Sequence, residues 1–284
     1  MELVCLGVGF LAMLAALALT PLVRRAALRV GFVDRPGPRK IHDAPMPYGG
    51  GIAVMLALAL AVAAAAWVLH ELLRNPAWAE WAGELAIAPK AFDPAQYPLL
   101  RLCVLGALGA LALGIVDDRC PLKPWAKLLA QFILAGAVVA GGVRLTVLIG
   151  DNLLTQAVTV LWIVLVTNSF NLLDNMDGLC AGVVAIAAGL LALLATFSGQ
   201  AAPAVVASAL AGASLGFLRW NLAPARIFLG DGGAMFCGFL MATLTVLTTY
   251  YHYRESPLAL GVPFLILAIP LYDTASVLLI RLRE

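Results

Sequence analysis

Apolar residues run along this chain in blocks separated by short polar stretches. Nine of the blocks approach the ~20 residues that a helix needs to cross a bilayer. They cover roughly residues 3–22, 48–70, 99–116, 126–142, 154–172, 179–197, 202–218, 233–250 and 257–280. Such runs leave no face for water, so the pattern predicts membrane helices. The expected fold is all-α, a polytopic transmembrane helical bundle of about nine spans. No basic residue precedes the first block, whereas Arg24 and Arg25 follow it. A cleaved signal peptide has the reverse arrangement, so the block is read as a span with its N-terminus outside. No Pro-, Gly- or Ser-rich linker and no internal repeat divides the chain, and residues 1–284 are read as one integral membrane domain.

Charge placement orients the bundle. Connections after odd-numbered blocks hold thirteen Lys and Arg residues, among them Arg24, Arg25, Lys40, Arg119, Lys127, Arg219 and Arg226; the other side holds five. The positive-inside rule puts the odd connections in the cytoplasm. Composition agrees, with 63% hydrophobic and 12% charged residues and a mean hydropathy of +0.97. Soluble domains carry about a quarter charged residues. The five cysteines lack paired metal spacing and read as packing residues. Nothing points to a nucleic-acid partner. The segment from Glu71 to Pro98, with Trp78, Trp81, Phe92 and Tyr97, suits the headgroup level on the outer side.

The most informative polar stretch is Asn168-Ser-Phe-Asn-Leu-Leu-Asp-Asn-Met-Asp-Gly178, set between two apolar blocks. A carboxylate inside a membrane helix costs about 2.5–3.5 kcal/mol on insertion scales, so such groups are usually kept because they bind something. Asn168, Asn171, Asp174 and Asp177 recur every third residue. In a straight helix that set drifts about 60° per step, which would put Asn168 opposite Asp177. The helix is therefore expected to end or tighten near Leu173, with Asp174 to Gly178 turning. A polar loop with turn-forming Asp and Asn is the plainer alternative.

Four further clusters fall on the same predicted side. The first is a basic, proline-stiffened loop, Asp34 to Asp43 with Lys40 and His42, leading to Gly49-Gly50-Gly51. It reads as a phosphate clamp, or as a basic loop that only sets topology. The second is Asp117-Asp118-Arg119, with Lys123 and Lys127 beyond. Adjacent residues are about 100° apart on a helix, so one aspartate can face a metal or phosphate while the other pairs with a lysine. Next come Asn221 and Arg226 to Gly233, where Asp231 is either a ligand backed by flexible glycines or the N-cap of the following helix. Last is Asp273, within the final block, which reads as architectural.

Taken in order, Arg39-Lys40-Ile41-His42 with the later glycines, Asp117-Asp118, Asn168 through Gly178 and Gly230-Asp231 resemble the polyprenyl-phosphate N-acetylhexosamine-1-phosphate transferase family. The resemblance extends from about Gly31 to Asp273. Gly31-Phe-Val-Asp-Arg-Pro36 is similar to the N-acetylglucosamine-1-phosphate branch. It implies ten or eleven spans in the bacterial inner membrane, a cytoplasmic active site and a Mg²⁺ cofactor, with Mn²⁺ as a substitute. It further implies a UDP-sugar donor, UDP-N-acetylglucosamine, and an undecaprenyl phosphate acceptor embedded in membrane lipid. A homodimer is the family's frequent assembly.

Carried onto these positions, the resemblance makes Asp231, Asp117 and Asp118 metal ligands. Asp117, Asp118, Asp174 and Asp177 are then catalytic, and Lys40, His42, Lys127, Asn168, Asn171 and Arg226 bind substrate. The family's histidine-rich last loop has no counterpart among His42, His70 and His252. Other readings are a pentapeptide-bearing or other UDP-sugar donor, a cation-coupled transporter, or an inactive lipid-phosphate-binding relative. A transporter places its acidic groups near mid-membrane; here they gather at one interface.

Overall fold

The structure is a computed structural model that describes residues 1–36, 44–74, 96–145, 152–252 and 261–283. The described residues form ten helices: α1 Glu2–Arg29, α2 Gly50–Arg74, α3 Gln96–Arg119, α4 Pro124–Ala140, α5 Leu153–Leu173, α6 Leu179–Phe197, α7 Ala201–Asn221, α8 Gly230–His252, α9 Gly261–Ile266 and α10 Ala268–Arg283. A two-residue antiparallel pair, β1 Val33–Asp34 with β2 Met46–Pro47, sets Val33 opposite Pro47. This is an all-α polytopic bundle.

Seven helices (α1, α2, α3, α5, α6, α7 and α8) are long and apolar enough to cross a membrane. The other two of the nine expected spans look different. Helix α4 has 17 residues, and the block at 257–280 breaks at Leu267 into α9 and α10. Pro270 explains the break, since it has no N–H for the Ile266 carbonyl and its ring crowds that group.

Burial puts α7 and α8 at the centre. Over their apolar windows 89% and 94% of residues are buried, against 33% in α1. Small side chains make this possible, because close backbone approach is how helices gain packing energy where lipid is the alternative neighbour. A Cβ on Gly212 would lie 1.9 Å from the Gly9 carbonyl oxygen, and one on Gly216 would lie 2.2 Å from that of Met13. Helix α8 packs mainly on α3 and α5. Inside this core, Thr159, Thr167 and Thr248 donate to carbonyls four residues back, which satisfies their hydroxyls without water. Four cysteines are buried, Cys120 is exposed, and all are free thiols.

The polar connections meet at one end of the bundle. Tyr48 N–H donates to the Phe32 carbonyl, Phe228 N–H to that of Pro47, and Gly50 and Gly51 N–H to those of Phe228 and Leu229. The next two amides, Ile52 and Ala53, donate to Gly49. All four leading donors of α2 are therefore taken, and this glycine-rich helix start is a packing joint with no free amide for a phosphate; the basic loop carrying Lys40 and His42 lies outside the described residues. The glycines are needed for contact, since a Cβ on Gly51 would lie 2.2 Å from Gly233 Cα.

Candidate active site

Helix α3 carries its two aspartates to its C-terminal end, where the 100° step turns them apart. Asp117 accepts from Leu122 N–H through Oδ1 at 2.7 Å and faces Lys127 Nζ through Oδ2, also at 2.7 Å. Asp118 turns to the start of α8, with Oδ1 accepting from Asp231 N–H at 2.9 Å and Oδ2 from Gly232 N–H at 3.1 Å. Helix N-termini favour anions, and a charged acceptor strengthens both bonds. The cap of α8 is thus a carboxylate from another helix, while Asp231 lies in the first turn with its side chain free for other partners.

Those partners are Lys127 and Asn171. Lys127 Nζ contacts Asp231 Oδ2 and donates to Asn171 Oδ1 at 2.9 Å, while Asn171 Nδ2 donates to Asp231 Oδ1 at 2.9 Å. Three side chains, from α3, α5 and α8, therefore converge on the one ammonium that α4 supplies. The Asp231 side chain is 37% exposed, against 14% for Lys127 and 12% for Asp117, so Asp231 is the face of the cluster open to a ligand.

Three oxygens, Asp117 Oδ2, Asp231 Oδ2 and Asn171 Oδ1, surround a cation, and hard oxygens are the donors Mg²⁺ takes. Among the described residues no three His, Cys, Asp or Glu side chains form an all-protein metal cage. The set fits an ion that keeps one or two carboxylates and draws its other ligands from water and substrate phosphates.

The polar stretch at the end of α5 divides as its spacing demands. Helix α5 ends at Leu173, and Gly178 adopts φ +74°, as expected for a turn there. Asn168 does not join Asp231; its Nδ2 donates to Gln131 Oε1 on α4 and to the Val164 carbonyl. Asp177 is exposed and accepts from Ala225 N–H at 2.9 Å. Asp174 lies just beyond the helix and accepts from the Gly230 amide. Burial first, then the charges of Asp231 and Asp118, push its carboxyl up to about 7.

Arg226 makes no ion pair with Asp117 or Asp231; its guanidinium is 5.7 Å from the Trp220 ring centroid and its carbonyl accepts from Arg24 Nε. Lys40 and His42 lie outside the described residues. Three contributors escaped the sequence-based choice of site residues. Buried Asn221 accepts from Gly178 N–H and donates to the Ile227 carbonyl, tying two polar loops together. Its place in the fourth polar cluster was the available signal. Gln131 and Tyr48 gave none. The Tyr48 phenol, bonded to Asp34, is held above its ordinary range by burial and by that carboxylate.

A profile described as Glycosyl transferase family 4 matches residues 100–249. The chain is 30% identical over 278 residues to a probable undecaprenyl-phosphate N-acetylglucosaminyl 1-phosphate transferase of Bacillus subtilis, covering 95% of this chain and 70% of the relative. It is 30% identical over 303 residues to a decaprenyl-phosphate N-acetylglucosaminephosphotransferase of Mycolicibacterium smegmatis, covering 97% and 70%. It is also 32% identical over 212 residues to a phospho-N-acetylmuramoyl-pentapeptide-transferase of Lactiplantibacillus plantarum, covering 66% and 60%.

Proposed function

This chain belongs to glycosyl transferase family 4, and on that footing we propose that it transfers N-acetylglucosamine 1-phosphate from UDP-N-acetylglucosamine to undecaprenyl phosphate. The reading rests on one observation above all, the convergence of Asp117, Lys127, Asn171 and Asp231 at the end of a membrane bundle. Two relatives are named for polyprenyl-phosphate N-acetylglucosamine chemistry. The side to which these groups open is the cytoplasm, in keeping with the distribution of Lys and Arg.

A phosphate oxygen of the acceptor lipid attacks the β-phosphorus of the nucleotide sugar, the bond to the bridging oxygen breaks, and UMP leaves with that oxygen. The product is a lipid-linked pyrophosphoryl sugar. A phosphate monoester is largely dianionic at pH 7, so the nucleophile needs little help from a base. What the reaction needs is alignment and neutralisation of phosphate charge.

Asp231 and Asp117 would hold Mg²⁺, with Asn171 Oδ1 beside them. The ion supplies charge neutralisation across the phosphates when bound. Lys127, with three donors on a flexible stem, is placed to move from the carboxylates to a phosphate oxygen. Asp118 is a positioning residue, fixing the backbone from which Asp231 projects. Asp174 and Asp177 lie by the next loop and suit the ribose and uracil edges.

Release of UMP from UDP-N-acetylglucosamine by purified protein, dependent on undecaprenyl phosphate and Mg²⁺, is the test. No release under those conditions overturns the reading. The pentapeptide-transferase relative makes UDP-N-acetylmuramoyl-pentapeptide the second donor to assay. Preference for it would keep the chemistry and change the sugar.

A further inference from the structure

Away from the carboxylates, α1 and α7 pack along a seam that ends in a group of arginines. Gly212 and Gly216 let the backbones touch at Gly9 and Met13, and Trp220, one turn further on, donates its indole N–H to the Leu17 carbonyl at 3.3 Å. The seam is thus fixed by backbone contact up to the ring. Arg219 and Arg226 then lie 5.9 and 5.7 Å from the Trp220 centroid. Arg24 reaches over from α1, its Nε donating to the Arg226 carbonyl at 2.9 Å.

Two guanidiniums therefore lie against one indole, and a third is tied to the backbone of Arg226. Cation–π contact holds two of them, and none forms an ion pair with a carboxylate among the described residues. The Asp177 carboxylate, bonded to Ala225 N–H, stands one residue from Arg226, and three cations against it still leave net positive charge for an anion. The surroundings say where it comes from. Leu215, one turn towards the apolar middle from Arg219, is 52% exposed, and Leu22, two residues before Arg24 in α1, is 55% exposed. Guanidinium donors above exposed leucines match a phosphate headgroup above its acyl chains.

We infer that Arg219 and Arg226 at Trp220, with Arg24 joined to them through the Arg226 carbonyl, form a binding site for the phosphate of an anionic membrane phospholipid, separate from the Asp231 cluster. The site does not depend on the transferase reaction.

Phosphatidylglycerol binding to the purified protein, titrated by native mass spectrometry against phosphatidylcholine, tests this. Removing a basic group near a membrane surface weakens lipid binding roughly fivefold. The doubly substituted Arg219→Gln/Arg226→Gln protein is expected to bind phosphatidylglycerol about 25-fold more weakly, with phosphatidylcholine binding unchanged. An Arg281→Gln/Arg283→Gln control, which removes two exposed charges from the end of α10, should keep wild-type binding. Equal losses in both variants would overturn the site, because binding would then follow net charge. Full competition by millimolar inorganic phosphate, or a wild-type preference for undecaprenyl phosphate over phosphatidylglycerol that the Arg219→Gln/Arg226→Gln change removes, would also overturn it, assigning the cradle to a free anion or to the substrate lipid.

Discussion

Asp118 and Asp231 are separated by 113 positions, yet the Asp231 backbone amide donates to Asp118 Oδ1 at 2.9 Å while the Asp231 side chain turns the other way, to Lys127 and Asn171. One aspartate thereby fixes the backbone of the other. Hydrogen bonds to a charged group contribute about 1.5–3 kcal/mol each, and Asp118 accepts two. We expect Asp118→Ala to lower the melting temperature by several degrees and turnover by at least tenfold. Asp118→Asn, which keeps one acceptor, should lose less of each. Thermal unfolding in detergent alongside UMP release measures both, and equal behaviour of the two variants would remove the cap from the account.

Lys127 compensates two carboxylates. Breaking a buried pair by removing one partner is strongly destabilising, though the exposure of Asp231 moderates the cost here. Lys127→Met should melt earlier than wild type without divalent ions and recover much of the difference in millimolar Mg²⁺, because the metal then supplies the missing charge. A Mg²⁺-insensitive melting temperature in this variant would show that the carboxylates do not hold the ion.

Asp174 gives the protein a pH signature. Its carboxyl is raised from 3.8 to about 7 by burial and by the Asp231 and Asp118 charges. Between those values the folded protein holds a proton that the unfolded chain has released. Stability from this group is full below about pH 4 and is lost as the pH rises through about 7. The melting temperature of metal-free wild type should therefore fall from pH 5 to pH 8 more steeply than that of Asp174→Asn. Parallel curves would contradict the assignment.

Glycine contacts offer a test of the joint beneath the site. A Cβ on Gly114 would lie 2.4 Å from Gly232 N, and one on Gly51 would lie 2.2 Å from Gly233 Cα, whereas Gly136 and Gly182 have nothing within 4 Å. Overpacking costs about 1–3 kcal/mol, and alanine gains up to about 1 kcal/mol over glycine in an open helix position. Gly51→Ala and Gly114→Ala should destabilise and lower activity together. Gly136→Ala and Gly182→Ala should be neutral or slightly stabilising.

Much of the bundle was legible because apolar runs of bilayer length allow little else, and seven became single helices. The last run broke at Leu267 because of Pro270, which went unread among its apolar neighbours. The turn after Leu173 followed from the three-residue spacing of Asn168, Asn171, Asp174 and Asp177, since a straight helix would put the first opposite the last. Which neighbour each would meet was not legible. Asn168 met Gln131 and Asn171 met Asp231, outcomes set by the packing of α4 and α8. Gly49-Gly50-Gly51 read as an anion site because the sequence does not reveal that the Phe228 and Leu229 carbonyls take its amides.

Asp231 carries the central claim, that carboxylates from two distant segments would hold a Mg²⁺ supplying charge neutralisation for the substrate phosphates. The decisive measurement is Mg²⁺-dependent UMP release by wild type and Asp231→Asn at matched folded concentration, with folding checked by thermal unfolding. The expected result is turnover lowered by about 100-fold or more in a variant that remains folded. Wild-type turnover by a folded Asp231→Asn protein would contradict it.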